Sequence, residues 1–338
     1  MTPAAAPPLI HVLHENDAWV APLRAAFADL GLAHREWFVD EGALDLAAAP
    51  PPGVFYNRMS ASSHTRGHVY APEHTACVLA WLEAHGRRVL NGSRALRIEL
   101  SKVAQYASLE TLGVPTPRTV ATVGRAALLD AARAFEGRPF ITKHNRAGKG
   151  LGVRLFRSHA ALRAYAEGPD FEPSRDGVTL LQEYVEAPEP FITRVEFVGR
   201  ELLYAVRVDT SEGFELCPAD ACNVGDAFCP VGETVKARPK FEVLDGFDHA
   251  LVPAWRRFME LHDIHVAAFE LITDARGTSY TYDVNTNTNY NAEAEAAAGG
   301  RRRGMHAIAA FLGAELAREY RAIVGANDAP GAAAPPAQ

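Results

Sequence analysis

Three acid or amide side chains late in the chain stand where two neighbouring strands would gather them. Ala267-Ala268-Phe269-Glu270-Leu271-Ile272 and Tyr280-Thr281-Tyr282-Asp283-Val284-Asn285 are apolar or aromatic, and Asp274-Ala275-Arg276-Gly277 between them carries turn chemistry, which predicts a hairpin. By the period of two, Asp283 and Asn285 share a face, and a two-residue turn at Arg276-Gly277 sets Glu270 directly across from Asp283. Carboxylates facing one another between apolar strands repel, and a hard divalent cation that accepts carboxylate and carbonyl oxygens relieves the repulsion. Mg²⁺ at Glu270, Asp283 and Asn285 is therefore the expectation, against the plainer reading of a solvated sheet edge.

Cationic groups precede this cluster. Lys102 lies in a segment, Ile98 to Leu112, whose apolar residues recur at helical spacing. Lys143 closes the strand Pro139-Phe140-Ile141-Thr142-Lys143, which runs into Gly148-Lys149-Gly150-Leu151-Gly152 and then a second strand. A glycine loop joining two strands fits neither a Walker A loop nor a dinucleotide fingerprint, both of which open a helix. It reads instead as a flap with free backbone N–H groups for phosphates beside a lysine point charge, or as a mobile hairpin with no ligand. Phe191 to Val198 and Leu202 to Val208 form a further hairpin around Gly199-Arg200, and a two-residue loop there puts Arg194 and Arg207 diagonally on one face. Such a pair suits an anion, the structural alternative being an ion pair with Glu196 or Asp209.

The elements that must hold these residues alternate. A strand at Leu9–Leu13, a helix at Trp19–Leu30, extended segments near 34–39, 54–57 and 87–90 and a helix at about 72–85 predict a small α/β domain with a mostly parallel sheet. Its polar loop Asn57-Arg58-Met59-Ser60-Ala61-Ser62-Ser63-His64-Thr65-Arg66 follows an apolar strand, where open α/β sheets place ligands. Asn57, Arg58, Ser60, Ser63, His64 and Arg66 are accordingly candidate substrate contacts, with a solvated loop as the alternative. Val178–Val185 is another apolar strand, ending in Gln182-Glu183-Tyr184-Val185-Glu186.

The 338 residues carry 34 basic and 41 acidic side chains, a net charge of −7, so no global attraction to nucleic acid or anionic membrane is expected. Four cysteines are too few for a disulfide framework in so long a chain, and neither a signal peptide nor a membrane span is apparent, which predicts a cytoplasmic protein. Residues 1–8 and 326–338 are Ala/Pro-rich and read as disordered. Cys217, Cys222 and Cys229 with His249 offer a zinc reading at unusual spacing, and Arg301-Arg302-Arg303 a clasp for an acidic group; small loop residues and a solvated helix start are the plain alternatives.

Taken in order, the helix lysine, strand lysine, glycine flap, Leu181-Gln182-Glu183-Tyr184-Val185, hairpin arginines and Glu…Asp-x-Asn cluster resemble the ATP-grasp superfamily, and most of all its RimK-type amino-acid ligases, over residues 90–325. The resemblance implies an α/β (α+β) chain with an N-terminal pre-ATP-grasp domain at 9–95, a small lid subdomain at 96–177 and a large subdomain with the metal site at 178–325. It implies ATP held by Lys102, Lys143, Gly148, Lys149, Gly150, Gly152, Gln182, Glu183, Tyr184, Val185 and Glu186. Two Mg²⁺ ions, with Mn²⁺ as a substitute, would sit on Glu270, Asp283 and Asn285. Arg194, Arg207 and Lys143 would be catalytic, and Asn287 and Asn289 would join the substrate loop. The implied reaction activates a carboxylate as an acyl phosphate, which an amine then discharges, with ADP and phosphate released. Arg207→Ala would then abolish ligation while sparing ATP binding. Small-molecule or peptide acids and amines are the expected partners, with homo-oligomers left open. Two departures stand out: Ile192 replaces the aspartate of the family's Asp-x-Arg strand, and Thr286-Asn287-Thr288-Asn289-Tyr290-Asn291 replaces its Asn-x-x-Pro-Gly continuation, so the glutamate substrate does not transfer. Two rivals are a kinase of the same fold, which would want a strongly basic acceptor pocket, and a nucleotide-binding partner protein without catalysis.

Overall fold

The computed structural model describes residues 7–148, 150, 152–211, 239–244, 246–300 and 303–327. Strand β1 (Leu9–His14), helix α1 (Asp17–Asp29), β2 (His34–Phe38), β3 (Gly53–Asn57), α2 (Ala71–Ala84) and β4 (Arg88–Leu90) come first. They build a parallel sheet in the order β2-β1-β3-β4. β3 is buried along its whole length, as a strand covered on both faces must be.

The single helix expected over 98–112 is two helices, α3 (Ser93–Leu100) and α4 (Lys102–Thr111). Between them Ser101 adopts an extended conformation, and its side chain accepts a hydrogen bond from the Ala104 N–H, a serine N-cap that starts a new helix. Lys102 is thus the first residue of α4. Both helices pack on the third sheet described below, through Ala95, Ile98 and Leu109.

β5 (Thr119–Val123), α5 (Arg125–Ala131), β6 (Phe140–His144), β7 (Arg154–Phe156), α6 (His159–Glu167) and β8 (Val178–Glu183) form a second layer. Its antiparallel sheet has the order β5-β8-β6-β7. The sheet is covered by apolar residues of both helices around Phe140, Phe156 and Leu162. β8 fills the gap between β5 and β6, so the strand at 178–183 belongs to the same sheet as β5, β6 and β7, which a boundary at 177 divides.

The third sheet, order β11-β10-β9-β12-β13, comprises β9 (Phe191–Val198), β10 (Glu201–Asp209), β11 (Phe241–Leu244), β12 (Val266–Thr273) and β13 (Ser279–Asn285). α7 (Val252–Leu261) backs it with Trp255, Phe258 and Met259. After the short α8 (Ala292–Ala297), the long α9 (Gly304–Asn327) returns to the first sheet, where Met305, Ile308 and Leu312 pack against Ile10, Val54 and Phe27.

Two bulges set what this third sheet presents. In the β9–β10 hairpin, Gly199 and Arg200 take positive φ angles of 63° and 68°, the twist a two-residue turn needs. The register then shifts between Leu202 and Tyr204, so that Val206, not Ala205, lies opposite Arg194 and Arg207 lies opposite Thr193. A one-residue slip moves every later side chain to the other face, which separates Arg207 from Arg194 and corrects the expected pairing. In the β12–β13 hairpin the outer register ends at Thr273 opposite Ser279, which is not the expected two-residue turn at Arg276-Gly277. A shift between Glu270 and Leu271 compensates, and Glu270 does face Asp283.

Candidate active site

A cleft of about 450 Å³ opens where the three sheets meet. β12 and β13 hold Glu270, Asp283 and Asn285 on its floor, and the Asn285 amide donates to Glu270 Oε1 at 3.1 Å. Lys102 Nζ donates to Asp283 Oδ1 at 2.6 Å. That lysine is positioned by Gln105 of α4, whose side chain bonds both the N–H and the carbonyl of Val284 and so clamps the helix to β13. Lys143 ends up among neutral oxygens, donating to Tyr282 O at 2.9 Å and Tyr106 Oη at 3.1 Å. Burial pushes its ammonium below the ordinary lysine range. Asp283 is held below the usual carboxylate range despite burial, because Lys102 and Lys143 stand beside it, whereas burial raises Glu270, with the Asp283 charge adding to the rise.

Arg194 is buried and held at each of its three nitrogens by bonds that use three of its five N–H groups: Nε reaches Glu196 Oε1 at 2.6 Å, Nη1 reaches Glu270 Oε1 at 2.9 Å, and Nη2 reaches Thr288 Oγ1 at 2.6 Å. The structural alternative, an ion pair with Glu196, is therefore the one present, and a second pair, to Glu270, ties Arg194 to the acidic floor. Arg207 lies elsewhere, paired with Glu189 at 2.8 Å and stacked over the Phe191 ring at 3.9 Å.

The cleft roof carries Gly148 and Gly150, with Gln182, Glu183, Tyr184, Val185 and Glu186 along the crossing from β8 to β9. Gly152 has φ +74°, and a Cβ there would meet the His144 ring at 2.3 Å, so the flap's return requires glycine. Lys149 lies outside the described residues. The Glu183 side chain accepts from the Arg118 N–H, and Gln182 donates to Thr119 Oγ1, which anchors the crossing to β5.

The N-terminal loop departs most from expectation. Ser60 lines the cleft, joined by Ser62 and Trp19, which were not singled out. Asn57 bonds within its own fold, donating to Asn91 O and accepting from Met59 N–H. Arg58 is fully buried and donates to Asn287 Oδ1, Thr288 O and Asn289 Oδ1 at 3.0, 3.1 and 2.8 Å, so it braces the loop after β13 and does not face the cleft. Asn287 and Asn289 do line the cleft. Arg66 pairs with the buried Glu15 at 2.5 Å and lies over Trp19. Ser63 and His64 are not on the cleft wall; Ser63 Oγ is buried and has no hydrogen-bond partner among the described residues, and burial followed by the Arg175 charge lowers the His64 imidazole. Cys217, Cys222, Cys229, Arg301 and Arg302 lie outside the described residues, and His249 stacks between Phe247 and Trp255.

Sequence reasoning also missed Glu99, Thr288 and Tyr282. Glu99 sits three residues before Lys102, on the last turn of α3, a spacing that offered a signal; Tyr282 contributes a carbonyl, which no sequence pattern marks.

Solved structures share this architecture. A RimK domain ATP-grasp protein from Sphaerobacter thermophilus superposes at a TM-score of 0.58 with 20% identity, over 89% of this chain and 99% of that one. D-alanyl-alanine synthetase A from Vibrio cholerae gives 0.60 and 15%, over 93% and 100%. The ATP-grasp ligase PsnB, in a complex with minimal precursor, Mg and ADP, gives 0.60 and 15%, over 93% and 100%. Among curated proteins, the glutathione biosynthesis bifunctional protein GshAB of Streptococcus agalactiae is 24% identical over 178 residues, 50% of this chain and 22% of that much longer protein. No protein-family profile matches the chain. The chain has the ATP-grasp fold. Among the described residues, no helix is long and apolar enough to cross a membrane.

Proposed function

We propose that the protein is an ATP-dependent ligase that joins a carboxylate to an amine through an acyl phosphate, releasing ADP and phosphate. The observation that carries this reading is the convergence of Lys102, Lys143 and Arg194 on Glu270, Asp283 and Asn285 in one cleft roofed by a glycine flap. Two carboxylates and an amide oxygen are the hard donors that Mg²⁺ takes, so Glu270, Asp283 and Asn285 fit the ion that the fold implies. When bound, Mg²⁺ neutralises charge building on the transferred phosphoryl group.

The chain's own groups do the rest by position. Lys102 and Lys143 supply point charges for phosphate oxygens, and the buried Lys143 interacts the more strongly for being away from water. The backbone from Gln182 to Glu186 borders the cleft and would offer its N–H and carbonyl groups to an adenine edge. Arg194, fixed by Glu196 and Thr288, keeps its guanidinium against Glu270 and beside the reacting groups, where a preorganised donor is worth about 2.7–4 kcal/mol to a developing oxyanion. A kinase of this fold would need a basic acceptor pocket, and Arg58 and Arg66 are both spent on internal contacts. Amino acids or small peptides are the substrates we favour, in keeping with the precursor-bound PsnB complexes and the D-alanyl-alanine synthetase of the same fold.

The test is incubation with ATP, Mg²⁺ and pooled amino acids, reading ADP and new masses by mass spectrometry, with Lys143→Ala as control. ADP and an amide mass that appear only when acid and amine are both present support the reading. A phosphorylated product in place of an amide would support a kinase, and ATP binding without ADP in any pool would favour a non-catalytic partner.

A further inference from the structure

Glu99 differs from the ion-paired carboxylates around the cleft. Glu270 has Arg194, Asp283 has Lys102, and Glu189 has Arg207, each within 2.9 Å. Glu99 lines the same cleft, and its hydrogen-bond partners are all neutral: the Ala61 N–H at 3.3 Å on Oε1, and the Thr286 N–H and hydroxyl at 2.7 and 3.0 Å on Oε2. A carboxylate offers about four lone-pair directions, so three donors leave one open, on the oxygen with the longer bond. Ala61 lies between Ser60 and Ser62, which also line the cleft; their hydroxyls bond each other at 2.9 Å, and Ser62 Oγ accepts from Arg66 Nη1 at 3.2 Å. Gly148 of the flap approaches from above, close enough that a Cβ there would touch Ser62 at 3.4 Å. The join of flap, N-terminal loop and floor therefore holds one anionic side chain with a vacant acceptor site and no cation of its own among the described residues.

Building on the proposed ligase activity, we infer that Glu99 is the docking point and proton acceptor for the amine substrate, a small primary amine that arrives as its ammonium ion. An ammonium group presents three donors and a positive charge, which the open lone pair and charge of Glu99 complement, with the Ser60–Ser62 hydroxyl pair, which keeps one acceptor site beyond its mutual bond and those from the Ser62 N–H and Arg66, as neutral acceptor for a second N–H. The step balances simply. The ammonium gives one proton to the Glu99 carboxylate, the freed nitrogen lone pair attacks the acyl carbon, the carbon–oxygen bond to phosphate breaks with its electrons going to the phosphate oxygen, and the second N–H proton leaves with phosphate. Burial, with the nearby Asp283 charge, raises the Glu99 carboxyl above its ordinary value, the direction that suits a base working near neutral pH.

The experiment compares two nucleophiles in the full chain with ATP, Mg²⁺ and pooled amino acids. One is the pool's own amines; the other is hydroxylamine, which is largely unprotonated at neutral pH and traps an acyl phosphate as a hydroxamate. In Glu99→Gln the ratio of amide to hydroxamate is expected to fall by about 10²-fold or more, the range typical of a lost general base. Hydroxamate made by the variant also shows that it folds and activates the acid. An unchanged ratio, whether both rates fall together or neither does, overturns the assignment, because a strut that only braces Ala61 and Thr286 slows both nucleophiles alike. Hydroxamate without amide in the wild type overturns the small-amine assignment alone, and neither product in the wild type overturns the ligase reading with it.

Discussion

The two ends of the cleft handle charge in opposite ways. On the β12–β13 floor, buried acids and bases face one another and the cleft together: Lys102 on Asp283, Arg194 on Glu270 and Glu196. At the N-terminal loop the basic residues are spent on bracing, Arg58 on the carbonyls after β13 and Arg66 on Glu15 and the Ser62 hydroxyl, and hydroxyls, an indole and Glu99 line the wall. The floor's paired charges are in keeping with the polyanion and cations of the proposed reaction. The loop end is built to be neutral or negative, which suits an amine better than a second anion. The same residue type, arginine, thus serves as site chemistry at one end and as bracing at the other, and only its partners distinguish the roles.

That contrast breaks most readily at the floor. Asp283→Asn removes a cation ligand and the partner of Lys102; a loss of several kcal/mol of charge stabilisation lowers ADP release by roughly 10³-fold, measured with ATP, Mg²⁺ and pooled amino acids. Retained turnover would mean the hairpin is not the metal site. At the loop end the expected effect is on stability. Arg58→Ala strands three acceptors, at Asn287, Thr288 and Asn289, and should cost about 3 kcal/mol in denaturant unfolding. Arg58→Lys should recover little of it, because an ammonium cannot reproduce the fork.

Away from the cleft, where the chain enters β12 beside β4 and the β9–β10 turn, stability has its own pH dependence. His265, beside Arg200, Arg88 and Asp263, has its imidazole lowered to about 4, chiefly by burial and then by the two arginines. Between pH 6.5 and 4 the unfolded chain binds a proton on this ring that the folded chain refuses. Stability is therefore lost as pH falls through that window, by up to about 3 kcal/mol below it. Urea titrations from pH 7 to 4 check this, and His265→Gln should flatten the dependence. The smallest effect sharpens the comparison of the hairpin arginines. Arg207→Ala, which removes one exposed ion pair with Glu189, should change stability by about 0.5 kcal/mol or less, while Arg194→Ala disrupts the buried network and costs about 3 kcal/mol or more. ADP release should follow the same order, which reverses the role that the unbroken hairpin register gave to Arg207.

What was legible in the chain was what repeats at a fixed period or stands close in sequence. The alternating strands and helices of residues 9–90 appear within a few residues of their expected bounds, and Asp283 with Asn285 share a face because strand period two requires it. Glu270 faces Asp283 as expected, although by a different route: the turn is longer and a bulge restores the register. In the β9–β10 hairpin a bulge has the opposite consequence, turning Arg207 away. A bulge costs one residue of register and is decided by packing on both faces of a sheet, which neither strand's sequence contains.

Residue types and spacing by themselves determined the acidic hairpin, the two lysines, the glycine flap and the α/β alternation, because each depends on local geometry. Only the tertiary structure decided which arginines are spent on internal partners, that β8 joins the lid sheet, that α3 and α4 clamp the floor through Gln105, and that Glu99 faces the cleft with no cation. Those outcomes depend on contacts between residues as far apart as Arg58 and Asn289 or Glu99 and Thr286, and whether a buried charge is braced or exposed is settled by the partner that folding brings to it.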